Sequence, residues 1–234
     1  MPTGIIATFK AGNIGVKDST VIAKGNNELS ARSGNVIFQN STLEVAENAV
    51  LTFSSAGGAL LLDSGSTLDL AGKMKGNVFS DADATVAFQS SNARLDGTLS
   101  GSANAVFNAD YALSNLNRSN DFEFRNITIM NGKTLDIGTT ALKAGKISGG
   151  TISAILTDAA KTTPIITAAA ENVTIKLNMS AVSSAQTTLY HITKGTGFKL
   201  GEYSTSRYAV SSTPFTVAEA SKVSVLSNWN GGDL

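Results

Sequence analysis

Between Leu68 and Phe107 the chain spells one unit twice, and that repetition restricts the fold more than any other feature. Leu70-Ala-Gly72-Lys-Met74-Lys-Gly76, followed by Ala84-Thr-Val86-Ala-Phe88, is answered by Leu95-Asp-Gly97-Thr-Leu99-Ser-Gly101, followed by Ala103-Asn-Ala105-Val106-Phe107. The glycine frame advances by 25 residues from Leu70 to Leu95, within the roughly 20 to 50 residues of solenoid repeats. A unit of this size cannot bury its own apolar face and must stack on its neighbours. The expected fold is all-β, a right-handed parallel β-helix, with coils of roughly 22 to 25 residues stacked about 4.8 Å apart and ten or so coils in the chain. In that register Gly72 and Gly97 are equivalent sites one coil apart, and Leu70 stacks on Leu95 in one core. Gly97→Val should then cost on the order of 1 to 3 kcal/mol, and Asp69→Ala less than about 0.5.

Short apolar runs support the same reading. Asn35–Phe38, Thr42–Val45, Ala49–Phe53, Ala59–Leu62 and Thr67–Leu70 are runs of four or five residues separated by small or glycine-containing turns. Those are strand lengths, and no stretch sustains a 3.6-residue apolar period. Ser41-Thr-Leu-Glu-Val45 and Ser66-Thr-Leu-Asp-Leu70 also lie 25 residues apart, and Lys133-Thr-Leu-Asp-Ile137 is a third copy of the pattern. Alternation turns Leu43, Val45, Leu68 and Leu70 inward and leaves Glu44, Asp69 and Asp136 on a solvated face. From about residue 157 the strands lengthen and alternate more strictly, as in Val173–Leu177 and Lys222–Leu226. The domain therefore reads as solenoid coils over 1–156, with wider final coils or a β cap over 157–234 that protects an otherwise open sheet edge.

Composition narrows the partners. Eighteen Lys and Arg balance eighteen Asp and Glu, and no basic run exceeds a single residue. Counterion release on nucleic acid needs clustered cations, and anionic membranes attract net positive charge, so neither is an expected partner. No apolar run approaches the roughly 20 residues that span a bilayer. The absence of cysteine removes disulfides and thiolate metal sites. Met1–Lys10 lacks the basic and long apolar regions of a signal peptide, so a secreted form implies a signal and anchor outside this chain.

The candidate chemistry is sparse, and no cofactor is expected. His191, the sole histidine, lies in the alternating run Tyr190-His-Ile192 and cannot by itself build a His-rich metal site. No serine occupies a Gly-x-Ser-x-Gly elbow. Asp81 and Asp83 stand at alternate positions and share a face if extended; two carboxylates on one face can work as acid and base on a glycoside or hold calcium. A turn between coils accounts for them equally well. Asn108 to Arg125, less regular and rich in Asn, reads as a loop thrown out of the stack, which makes Tyr111, Arg118, Asp121 and Arg125 the candidates for surface recognition.

The Ser-Thr-Leu-acidic-apolar strands and Gly/Asn/Ser turns over about residues 34 to 155 resemble the β-helical passenger domains of bacterial autotransporters and related adhesins. Ala56-Gly-Gly-Ala-Leu60 and Val36-Ile-Phe-Gln-Asn-Ser41 are similar to the Gly-Gly-Ala and Phe-x-x-Asn repeats of the polymorphic outer-membrane-protein branch. Thr188–Gly197 is similar to segments that follow the β-helix in such passengers. The resemblance implies a secreted, surface-displayed stalk, often adhesive, whose partner is a host or cell-surface protein or glycan and whose translocator barrel lies elsewhere. Two other functions fit the repeat. One is a carbohydrate-active β-helix, a lyase or hydrolase using Asp81, Asp83, Asp96 and Arg94. The other is a structural protein that self-associates by stacking coil on coil.

Overall fold

The computed structural model describes residues 12–160 and 163–178, the backbone of Lys161, and the strands Ile6–Phe9, Thr188–Tyr190, Thr193–Lys194, Phe198–Ser204, Ala209–Ser211 and Val223–Val225. The fold is a parallel β-solenoid of about seven turns. It divides into two compact units, Met1–Arg125 and Asn126–Leu234.

In the first unit each turn contributes three short strands, so the coil has three sides. The first side stacks Ile6–Phe9, Asn26–Ser33, Val50–Ala56, Lys73–Lys75 and the start of the long strand Arg94–Phe107. The second stacks Ile14–Lys17, Val36–Gln39, Leu60–Leu62, Val78–Ser80 and the middle of that long strand. The third stacks Thr20–Ala23, Thr42–Val45, Thr67–Leu70, Thr85–Phe88 and its end. All of these pairings are parallel. Strands of three or four residues suit the sequence because two inward side chains per strand are as many as a narrow interior accepts.

Alternation puts like on like. Val36, Leu60, Val78 and Leu99 stack inside the second side. Leu43, Leu68, Val86 and Ala105 stack inside the third. Beside them Val45, Leu70, Phe88 and Phe107 form a second buried column. Each fully buried Leu, Val or Phe contributes about 1.5 to 3 kcal/mol, which these thin coils can collect only by stacking. The Phe88 and Phe107 rings lie 5.0 Å apart and nearly parallel, and Tyr111 leans on both at 4.5 and 5.4 Å.

Three expectations need correction. The 25-residue step holds where Thr42 pairs with Thr67, but not for the glycine frame. Met74 pairs with Leu95 and Val78 with Leu99, a step of 21 residues. Leu70 pairs with Phe88, not Leu95, and Gly97 lies against Gly76, not Gly72. The step shortens to 18 between Leu60 and Val78 mainly because the first-side strand of that turn, Lys73–Lys75, has three residues where Val50–Ala56 has seven. Second, Asn108–Arg125 is no extruded loop: Leu116–Arg118 pairs with the long strand at Leu95 and Leu99, and Leu113, Leu116, Phe122 and Phe124 are buried. Third, the turns number about seven instead of ten.

In the second unit one side stacks Thr134–Gly138, Thr151–Ile155, Val173–Asn178 and Phe198–Ser204 in parallel. Another stacks Leu142–Ser148, Ile166–Glu171 and Thr193–Lys194. Leu135, Ile152 and Ile175 form its buried column. Phe198–Ser204 then pairs antiparallel with Ala209–Ser211.

Candidate functional site

The corner between the first and second sides is built from a glycine once per turn, followed by asparagine in three turns of five. In register order it reads Gly12-Asn13, Gly34-Asn35, Gly58-Ala59, Gly76-Asn77 and Gly97-Thr98, each just before a second-side strand. At this corner the backbones approach too closely for a side chain. A Cβ on Gly34 would lie 2.0 Å from the Gly12 carbonyl oxygen, one on Gly58 1.7 Å from that of Gly34, and one on Gly97 1.9 Å from that of Gly76. Gly34 and Gly76 also hold φ of +96° and +120°, which disfavours any L side chain.

The asparagines then bind coil to coil. The Asn35 backbone N–H donates to Asn13 Oδ1 at 2.9 Å, that of Ala59 to Asn35 Oδ1 at 2.9 Å, and that of Thr98 to Asn77 Oδ1 at 3.0 Å. At the next corner serine has the same role in the opposite direction. The Ser19 and Ser41 N–H groups donate to Ser41 and Ser66 Oγ one turn on, and Ser66 Oγ donates to the Phe38 carbonyl at 2.8 Å. Both devices satisfy backbone donors that a three-sided coil would otherwise leave unpaired where strands end.

Above the Gly-Asn corner the second side turns its outward residues Ile37, Leu61, Phe79 and Ser100 into one line across four turns. Phe79 is 47% exposed. Beside it runs an open groove of about 650 Å³. Asn35, Ser55, Asn77, Thr98 and Ser100 supply its polar lining, Leu61 and Phe79 its apolar wall, and among the described residues no charged one lines it. The Gly-Asn register that builds this groove was readable as a recurring Gly-Asn-apolar triplet, but its 22-, 24-, 18- and 21-residue steps hide it from a search at fixed period.

The sequence-derived candidates are dispersed. Asp81 turns its Oδ1 onto the Ala82 N–H at 2.6 Å, within the turn that its carbonyl closes with the Ala84 N–H. Asp83 pairs with Arg125, and both are exposed. Asp96 receives Lys73 Nζ and Arg94 Nε at 2.6 Å each, and those cations, Lys73 foremost, hold its carboxyl below the usual range. Asp81 thus serves its own turn, while Asp83 and Asp96 answer different cations. Tyr111 is buried, not displayed; burial pushes its phenol far up, and its hydroxyl has no hydrogen-bond partner among the described residues. Arg118 lies over the Phe124 ring at 5.1 Å, and burial lowers its pKa. Asp121 is exposed.

Glu44 and Asp69 stack on the outward third side, half-buried, and Asp69 Oδ1 is screened without a hydrogen-bond partner among the described residues. Asp136 is exposed and accepts the Gly138 N–H at 3.0 Å. In the second unit Lys146 Nζ meets Glu171 at 2.5 Å and holds that carboxyl low. His191 lies outside the described residues. Among the described residues no three metal-binding side chains converge, and no helix is long and apolar enough to cross a membrane. No family model, curated protein or solved structure matches this chain.

Proposed function

We propose that the chain is a non-enzymatic stalk or adhesin segment, displayed on a bacterial surface, whose coils set binding residues at fixed spacing. The observation that carries this reading is how the acidic candidates are used. Asp83 and Asp96 are held by cations, and Asp81 by a turn amide. A glycoside hydrolase needs one raised and one ionised carboxyl flanking a scissile bond, whereas the cations beside Asp96, Lys73 foremost, hold its carboxyl low. The asparagine and serine ladders support the same reading, since they spend polar side chains on cohesion between coils.

The test is incubation of the purified chain with a polysaccharide panel, followed by reducing-sugar and unsaturated-product assays. No product is expected. Product that disappears in Asp83→Asn or Asp96→Asn would establish the carbohydrate-active enzyme instead. Surface display is tested by protease treatment of intact cells that express the protein natively, where cleavage of this segment is expected and full protection would contradict it.

A further inference from the structure

We infer that the groove along the second side, walled by Phe79 and Leu61, is a binding site for a neutral saccharide. This deepens the adhesin reading and rests on it. A pyranose presents C–H groups on a face and hydroxyls around its rim. It is therefore matched by an exposed ring flanked by amides and hydroxyls without charge. The groove offers that set: Phe79 with Leu61 beneath, and Asn35, Asn77, Thr98 and Ser100 alongside. The lack of Lys, Arg, Asp or Glu in the lining leaves nothing to pair with an acidic sugar, a phosphate or a charged peptide.

The amides are already positioned. Because Asn35 and Asn77 Oδ1 each accept a backbone N–H from the next turn, both side chains are held in one rotamer with Nδ2 free of any protein partner among the described residues. A ligand hydroxyl can accept from that Nδ2 without the cost of ordering the side chain first. Gly57 lines the same groove, and a Cβ there would meet nothing within 4 Å. Phe79 stands on a strand fixed on both edges by parallel pairing with Leu60–Leu62 and with Leu99–Gly101, so its ring is carried by a rigid support. Both edges being occupied, an extended peptide cannot bind here by adding a strand. An open groove around one ring predicts affinity on the order of millimolar for a short oligosaccharide.

The experiment is amide chemical-shift mapping of the intact chain with cellotetraose, maltotetraose and triacetylchitotriose at about 10 mM each. At least one should shift the amides of Asn77, Phe79 and Thr98. Phe79→Ala should weaken that binding about tenfold or more, Phe79→Tyr should retain it, and Met130→Ala, which trims an exposed apolar residue elsewhere, should leave it unchanged. The inference is overturned if none of the three sugars moves those amides, if Phe79→Ala binds as the parent does, or if polygalacturonate binds there in their place. Product analysis of the same samples separates the two readings. A neutral sugar bound and cleaved upholds the groove and removes the non-enzymatic stalk; no binding and no product removes the groove and leaves the stalk.

Discussion

Gly97→Ala isolates the close approach at the Gly-Asn corner. Gly97 does not need positive φ, so the effect of a side chain there comes from contact alone. Its Cβ would lie 1.9 Å from the Gly76 carbonyl oxygen and 2.4 Å from the carbonyl carbon, where ordinary contact begins near 3.4 Å. Both atoms are backbone, and no rotamer change relieves them. The turns must part, and the Thr98 N–H bond to Asn77 Oδ1 is the first to stretch. Overpacking of this kind costs about 1 to 3 kcal/mol, and the Thr98 bond with an adjacent ladder bond adds about 1 each. The loss should be about 3 to 5 kcal/mol, at or above the top of the range expected from sequence for Gly97→Val.

Urea unfolding followed by far-ultraviolet circular dichroism reads this loss directly. With a slope of about 2 kcal/mol per molar, the midpoint should fall by roughly 1.5 to 2.5 M. Gly12→Ala is the control at the end of the same ladder, because the nearest atom to its Cβ, the Ser33 carbonyl oxygen, is 3.9 Å away. It should stay within about 0.5 kcal/mol of the parent or gain slightly from a less flexible unfolded chain. A Gly97→Ala midpoint equal to that of Gly12→Ala would refute the stacked-glycine corner.

Asn77→Ala removes the acceptor of the Thr98 N–H and should cost about 1 kcal/mol, with faster hydrogen exchange at Thr98; Asn77→Asp, which keeps the oxygen, should cost less. Tyr111→Phe keeps the stack on Phe88 and Phe107 while deleting a buried hydroxyl without a partner, so thermal unfolding should show equal or higher stability, by up to about 1 kcal/mol. Asp96 has a folded-state pKa below its ordinary 3.8, so its contribution is present above that value and is lost as pH falls through the lower folded value. Its side chain is 29% exposed and screening keeps the contribution under about 1 kcal/mol; Asp96→Asn should lower the urea midpoint slightly at pH 7, by an amount that shrinks as the pH is lowered below the ordinary carboxylate range.

Strands and their inward residues were legible because alternation is local. Leu43, Val45, Leu68 and Leu70 all lie inside, and the Ser41 and Ser66 frames stack as their spacing implies. Register was not legible from the glycine frame. Its two copies match because Gly-x-apolar-x-Gly recurs at different corners: Gly72 packs on Ala46 and Ala49, while Gly97 packs on Gly76. A fixed period also presumes turns of equal length, whereas the first-side strand shortens from seven residues at Val50–Ala56 to three at Lys73–Lys75, and Gly58-Ala59 interrupts the Gly-Asn signal between its longest and shortest steps. Tyr111 was misplaced for a related reason. Its Asn-rich neighbourhood has the composition of a loop, yet the ring continues the Phe88 and Phe107 column, a relation visible only once the turns are stacked. The groove escaped notice because Phe79 is an unremarkable strand residue until Ile37, Leu61 and Ser100 come into line with it.

The turn-to-turn register is the central claim, and inter-strand nuclear Overhauser effects on the labelled intact chain test it most directly. The 21-residue step predicts backbone contacts between Met74 and Leu95, Gly76 and Gly97, and Val78 and Leu99. Contacts instead from Leu70 to Leu95 and from Met74 to Leu99 would restore the 25-residue frame, dissolve the Gly-Asn corner and remove the groove beside Phe79.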